Sequence, residues 1–288
     1  MAVGRGRGRE AEAVVDAHQV AYLQALGVDV YVPRSAPALV VMEPAATAAA
    51  PQPVVVAAAH APRPAATRVR QPQPETQRPA SPEPQLALPD IARDLDWDPL
   101  RAAVAACTRC ELHGTRTQTV FGVGNPRARW MFIGEAPGAD EDRQGEPFVG
   151  RAGQLLTSMI RALGLQREDV FIANVLKCRP PGNRDPRPAE AASCRTYLER
   201  QVALVNPTLV VAVGRIAAQN LLATETPIAK LRGKVHAFGA RSWPLVITYH
   251  PAYLLRSPSE KRKAWHDLLH ARQLFDRLQR ESVAGGPA

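Results

Sequence analysis

The chain has 288 residues, with 36 Lys and Arg against 27 Asp and Glu, and a net charge of +9. A basic balance of this size favours a polyanionic partner, because neutralising phosphates releases condensed counterions. It contains no apolar run of about 18 residues, and no basic start leading into an apolar core with a cleavage site. The expectation is therefore a cytoplasmic protein without a membrane span.

Residues 10–28, EAEAVVDAHQVAYLQALGV, carry apolar side chains at helical spacing, and 28–33 alternate like a short strand. Residues 1–35 thus read as one small helix–strand element, too little for a core. Between Pro33 and Pro89 lie 13 of the 27 prolines, alternating with Ala and polar residues. Such a stretch cannot form a regular hydrogen-bond ladder, so residues 36–92 read as a flexible, disordered linker. Residues 1–95 hold nine basic and nine acidic side chains, which places the whole charge excess on the remainder. On charge alone, nucleic-acid binding and an ordinary solvated basic surface both stay open.

From Trp97 onward, buried-strand patterns at 130–136, 170–177, 209–214 and 244–251 alternate with helical ones at 152–165, 188–205, 215–224 and 259–279. The strand runs lack the alternation of a half-exposed strand. Strand and helix repeating with short connections imply an α/β domain with a parallel sheet covered on both faces. It should span 96–280, with 281–288 as a disordered tail. In such sheets ligands gather beyond the carboxyl ends of the strands. Each unusual polar motif here follows a strand: GEAPG after the first, NVLKCRPPGN after the second, HPAYLLR after the last. That placement points to one composite site. Gly134, Pro137 and Gly138 allow a sharp turn. A P-loop is excluded because no Lys-Ser or Lys-Thr follows the glycines, and 122-GVG-124 reads as a turn.

Cys107 and Cys110 form a C-x2-C pair, with Cys178 and Cys194 at longer range. Two disulfides fit poorly with a reducing cytosol. Four thiolates suffice for an iron–sulfur cluster or zinc, and unrelated buried thiols are the third alternative. The gap between Cys178 and Cys194 lacks the second close pair usual for zinc.

Taken together, 134-GEAPGADED-142, 144-QGEPFVGRAGQLL-156, 174-NVLKCRPPGN-183 and 250-HPAYLLR-256, with the four cysteines, resemble the family 4 uracil-DNA glycosylases over about residues 96–280. The resemblance implies a three-layer α/β/α sandwich with a four-stranded parallel sheet and a [4Fe-4S] cluster on Cys107, Cys110, Cys178 and Cys194. It also implies excision of uracil from single- or double-stranded DNA during base excision repair, at the nucleoid and by a monomer. A base in a duplex stack must be extruded before chemistry, into a pocket that reads its edge and stacks on its face. Asn174 can donate to O4 and accept from N3–H of uracil, and Phe148 offers a stacking face; the plain alternatives are a turn-capping Asn and a core Phe. Gly134 and Ala136 fall on the same pocket wall.

His250 can donate to the uracil oxygen where charge develops. Glu135 can orient water or stabilise the sugar cation; its alternative is a carboxylate held by a helix N-terminus. The resemblance adds Asn183 as a catalytic partner and Glu141 near the uracil C5 edge, where a thymine methyl must be excluded. Family 1 enzymes carry a water-activating Asp where this chain has Ala136, a departure normal for family 4. The 180–188 loop lacks the His with which one subclass traps uracil covalently, so turnover is expected. Tyr253 and Leu254, with Arg256, Lys261 and Arg262, are expected to wedge and grip DNA. The competing reading is a non-catalytic iron–sulfur DNA-binding or redox-sensing module. Residues 1–30 could in addition recruit a replication or repair partner.

Overall fold

A computed structural model describes residues 92–284. The helix–strand element at 1–35 and nearly all of the 36–92 linker lie outside the described residues, as do 285–288.

Helix α1 (Trp97–Ala105) precedes the thiol pair. There follow strands β1 (Val123–Gly124) and β2 (Trp130–Gly134), helices α2 (Ala139–Gln144) and α3 (Arg151–Ala162), and strand β3 (Phe171–Asn174). Helix α4 (Pro188–Val205), β4 (Leu209–Val213), α5 (Arg215–Leu222), α6 (Ile228–Leu231), β5 (His236–Phe238), β6 (Trp243–Thr248), α7 (Pro251–Arg256) and α8 (Lys261–Ala284) follow within the described residues. The sheet order is β1-β3-β2-β4-β6-β5. The four strands read from sequence pair in parallel, and β1 and β5 add antiparallel edges. The expected four-stranded sheet is thus corrected to six mixed strands. The edges escaped notice because they have two and three residues, too few for a pattern; Gly122–Gly124, expected as a turn, includes one of them.

Alternate residues of the parallel strands serve two cores. Met131, Ile133, Val210, Ala212, Leu245 and Ile247 pack with residues of α4 and α5. Trp130, Phe132, Val211 and Val246 pack with residues of α3 and α8. Both faces are therefore covered, which explains the unbroken apolar strands and gives the three layers. A smaller cluster joins Ala92, Leu100, Val104, Phe121 and Tyr197. Helix α8 runs four residues past the expected boundary at 280, correcting the start of the tail. Among the described residues no helix is long and apolar enough to cross a membrane.

Candidate active site

Helix α3, between β2 and β3, lies on one face of the sheet and α5, after β4, on the other. The connections from these neighbouring strands thus diverge, and the crevice at their carboxyl ends is where such a fold holds ligands. A cavity of about 750 Å³ opens there, lined by residues that follow β2, β3, β4 and β6. It collects Glu135, Ala136, Glu141, Phe148, Asn174, Asn183, His250, Tyr253 and Arg256 from the sequence reading. Gly134, Lys261, Arg262 and Leu254 are not among its lining residues.

The floor is built by close approach. The bonds from Val175 N to Gly134 O (2.9 Å) and Leu176 N to Glu135 O (3.0 Å) continue the β2–β3 pairing past the strand ends. A Cβ on Gly134 would lie 2.5 Å from both Asn174 Oδ1 and Phe148 Cζ, so only glycine lets these two side chains meet. Asn174 is 2% exposed, and its Oδ1 has no hydrogen-bond partner. Phe148 sits at φ 56°, a left-handed conformation that costs a non-glycine residue on the order of 1 kcal/mol and persists only when held. Glu141 does much of the holding, accepting from Val149 N (3.0 Å), Gly150 N (3.2 Å) and Gly138 N (3.1 Å). Arg167 secures the residue before Phe148 through Pro147 O (2.6 Å).

His250 caps α7, its Nδ1 accepting from Ala252 N at 3.1 Å. The neutral ring therefore carries its proton on Nε2. Burial pushes His250 down to about 4, with Arg256 adding to the fall and Glu141 opposing it, so at neutral pH the ring is an uncharged donor. Its ring centroid is 5.7 Å from that of Phe148. Gly214, at φ 101°, again clears the way, since a Cβ there would lie 2.8 Å from His250 Cβ. Burial, then repulsion from Asp185, pushes Glu135 up to about 7, while Arg215 pulls it down. Asn183 stands on an exposed turn at φ 55°, its Oδ1 accepting from Arg179 Nε at 2.8 Å.

One expectation fails on burial. Leu254 is 1% exposed within the core shared with α3 and α8, and cannot wedge DNA; Leu255, 37% exposed, is the outward apolar side chain of that turn. Tyr253 packs on Tyr249, with ring centroids 5.1 Å apart. Arg184, Asp185, Arg215 and Tyr249 also line the cavity. The sequence reading missed them, although Arg215 and Tyr249 follow strands as directly as the motifs that were found.

The cysteines form a second centre. Cys178 and Cys194 are buried and Cys107 and Cys110 partly so, all four unbridged. Cys178 interacts electrostatically with Cys110 and Cys107, and Cys194 with Cys178 and Cys110. Burial pushes Cys110 and Cys178 up and Cys194 up to about 12. Arg116 Nη1 lies 3.1 Å from Cys178 Sγ. The fully buried Lys177 donates to Asn174 O (2.8 Å) and Gln201 Oε1 (2.6 Å), which links this centre to the cavity floor. Among the described residues no group of three His, Cys, Asp or Glu is gathered tightly enough to suit a single metal ion.

A cavity beyond the carboxyl ends of the parallel strands marks an α/β protein with a ligand-binding crevice, and the family model of the uracil DNA glycosylase superfamily matches residues 121–269. A type-4 uracil-DNA glycosylase of Archaeoglobus fulgidus is 45% identical over 199 residues, spanning 67% of this chain and 96% of that protein. One from Thermotoga maritima is 46% identical over 160 residues, 55% of this chain and 82% of that protein. A type-5 enzyme of Thermus thermophilus reaches 35% over 119 residues, 36% of this chain and 54% of that protein. The chain belongs to the type-4 uracil-DNA glycosylases. It is a DNA-repair hydrolase that excises uracil from DNA by cleaving the N-glycosyl bond.

Proposed function

We propose that the cavity receives a uracil flipped from the DNA stack, read by Asn174, stacked on Phe148, and released with help from His250, Glu135 and Asn183. The observation that carries this is the orphaned, buried amide oxygen of Asn174. An unpaired buried acceptor costs about 1–3 kcal/mol, so the floor is complementary to a donor that arrives with the ligand. Uracil brings one at N3–H, beside an O4 that accepts from the amide nitrogen; cytosine presents the reverse pattern.

As the bond from N1 to C1′ stretches, the sugar becomes cationic and the base anionic. The Nε2–H of His250 donates to the uracil oxygen as charge grows there. Water adds to C1′, its proton passes to the Glu135 carboxylate, and the electrons of the broken bond leave with uracil. Asn183, at the rim, helps hold the water. Ala136 keeps the wall thin against the base, and Gly134 leaves room behind it for Asn174 and Phe148. Glu141, taken up by three backbone donors, excludes a thymine methyl by fixing the Phe148 loop. Tyr253, Arg256, Lys261 and Arg262 face the strand, with Leu255 as the wedge.

Cys107, Cys110, Cys178 and Cys194 fit a [4Fe-4S] cluster. The donor set is four unbridged thiols, with Arg116 and Lys177 beside Cys178 and Cys194 to offset the thiolate charge that ligation requires. When bound, the cluster supplies a cross-link among segments distant in sequence, and so folding energy. The protein acts at the nucleoid as a monomer, residues 36–92 tether the glycosylase domain, and residues 1–30 serve a replication or repair partner.

The test is His250→Ala with a labelled uracil-containing oligonucleotide. Single-turnover excision should slow by about ten-squared to ten-cubed, with binding nearly kept. Lost binding with an unchanged chemical rate would contradict the assigned role.

A further inference from the structure

We propose that Asp185 and Arg215 are a positioning pair for Glu135, an ion pair on the pocket wall that sets the charge its carboxyl meets. The inference rests on the reading of Glu135 as the ionised, water-orienting group. Arg215 Nη2 lies 2.6 Å from Asp185 Oδ2, joining the loop after β3 to the first residue of α5. Arg215 Nη1 also donates to Gln219 Oε1 at 3.1 Å, so the guanidinium is held from two sides. Both residues line the cavity with Glu135. Their side chains are 48% and 63% exposed, and an exposed pair contributes about 0–1 kcal/mol to stability. Stability is thus a weak reason for it.

Electrostatics gives a stronger one. After burial, the charges acting on Glu135 are Asp185, which raises its pKa, and Arg215, which lowers it. The other charged or titratable groups around the cavity are engaged elsewhere: Tyr249 lies under the Arg232 guanidinium and packs on Tyr253. Glu141 takes three backbone donors, Arg184 is bidentate on Glu190, and His250 is neutral and caps α7; Arg256 acts on His250. The pair therefore brings two opposite charges to one carboxyl, and removing either leaves the other uncompensated. The two removals must then move Glu135 in opposite directions, whereas a latch between loops would weaken alike whichever half was lost.

The experiment is the pH profile of single-turnover excision by the full-length, cluster-loaded protein at saturating enzyme, so that weaker DNA binding does not enter. Asp185→Asn should carry the acid limb to lower pH and Arg215→Gln to higher pH, by about half a unit each, and the double variant should return it close to its original position. Limbs that stay fixed, or move together, would overturn the pairing. Glu135→Gln separates this from its premise: if that variant keeps both rate and acid limb, the role of Glu135 fails. If it loses both while the pair variants shift nothing, only the pairing fails.

Discussion

Asn174 and Cys178 stand four residues apart on the segment that leaves β3, yet the two centres they belong to treat polar groups in opposite ways. Around Asn174, satisfaction is withheld: its amide oxygen has no partner, Phe148 is held in a left-handed backbone, and the Glu135 carboxyl is pushed up to about 7. Around Cys178 the protein completes its own contacts, with Arg116 on the thiol and Lys177 bonded to Asn174 O and Gln201. On the proposed function, one region receives the ligand and the other holds that region in place. Strain and orphaned groups persist only where the surroundings over-determine them; Glu141 and Arg167 supply that constraint at Phe148, and Lys177 fixes the backbone behind Asn174.

Breaking the anchor should have the largest effect. Cys178→Ala removes one of the four thiols proposed to hold the cluster, at a buried position, so bound iron should fall well below about four atoms per chain, and the melting temperature should drop by about 5 °C or more. Metal analysis and thermal unfolding check both; stoichiometric zinc without iron in the unaltered protein would contradict the cluster. Gly134→Ala should instead break the waiting half alone. The added Cβ collides with Asn174 Oδ1 and Phe148 Cζ, and overpacking costs about 1–3 kcal/mol. Excision should fall by about a hundredfold while iron content stays unchanged. Full activity would mean that the two side chains need not meet there.

The waiting half was the more legible of the two in the sequence, because each of its motifs follows directly on an apolar run: GEA on β2, the Asn of NVLKC on β3, HPAYLLR on β6. Geometry across the gap was not legible. Nothing in the order of residues says that Glu141 faces three backbone donors, that Leu254 turns inward while Leu255 turns out, or that Asp185 meets Arg215. These depend on how loops from different strands converge. The cysteines were visible as a set, but the buried Lys177 between them and Asn174 reads as an ordinary basic residue until β3 and α4 are packed. The short edges β1 and β5 were hidden because two or three residues carry no periodicity.

The central claim is that Asn174 is left unpaired so that uracil can complete it, and single-turnover excision by Asn174→Asp on a uracil-containing oligonucleotide tests it most directly. The carboxylate cannot donate to O4 and repels it, leaving groups unpaired in a closed pocket at about 1–3 kcal/mol each. The account predicts a fall of about tenfold to a few hundredfold, with little gain on cytosine because the rest of the pocket is unchanged. Excision of uracil at the unaltered rate would contradict it.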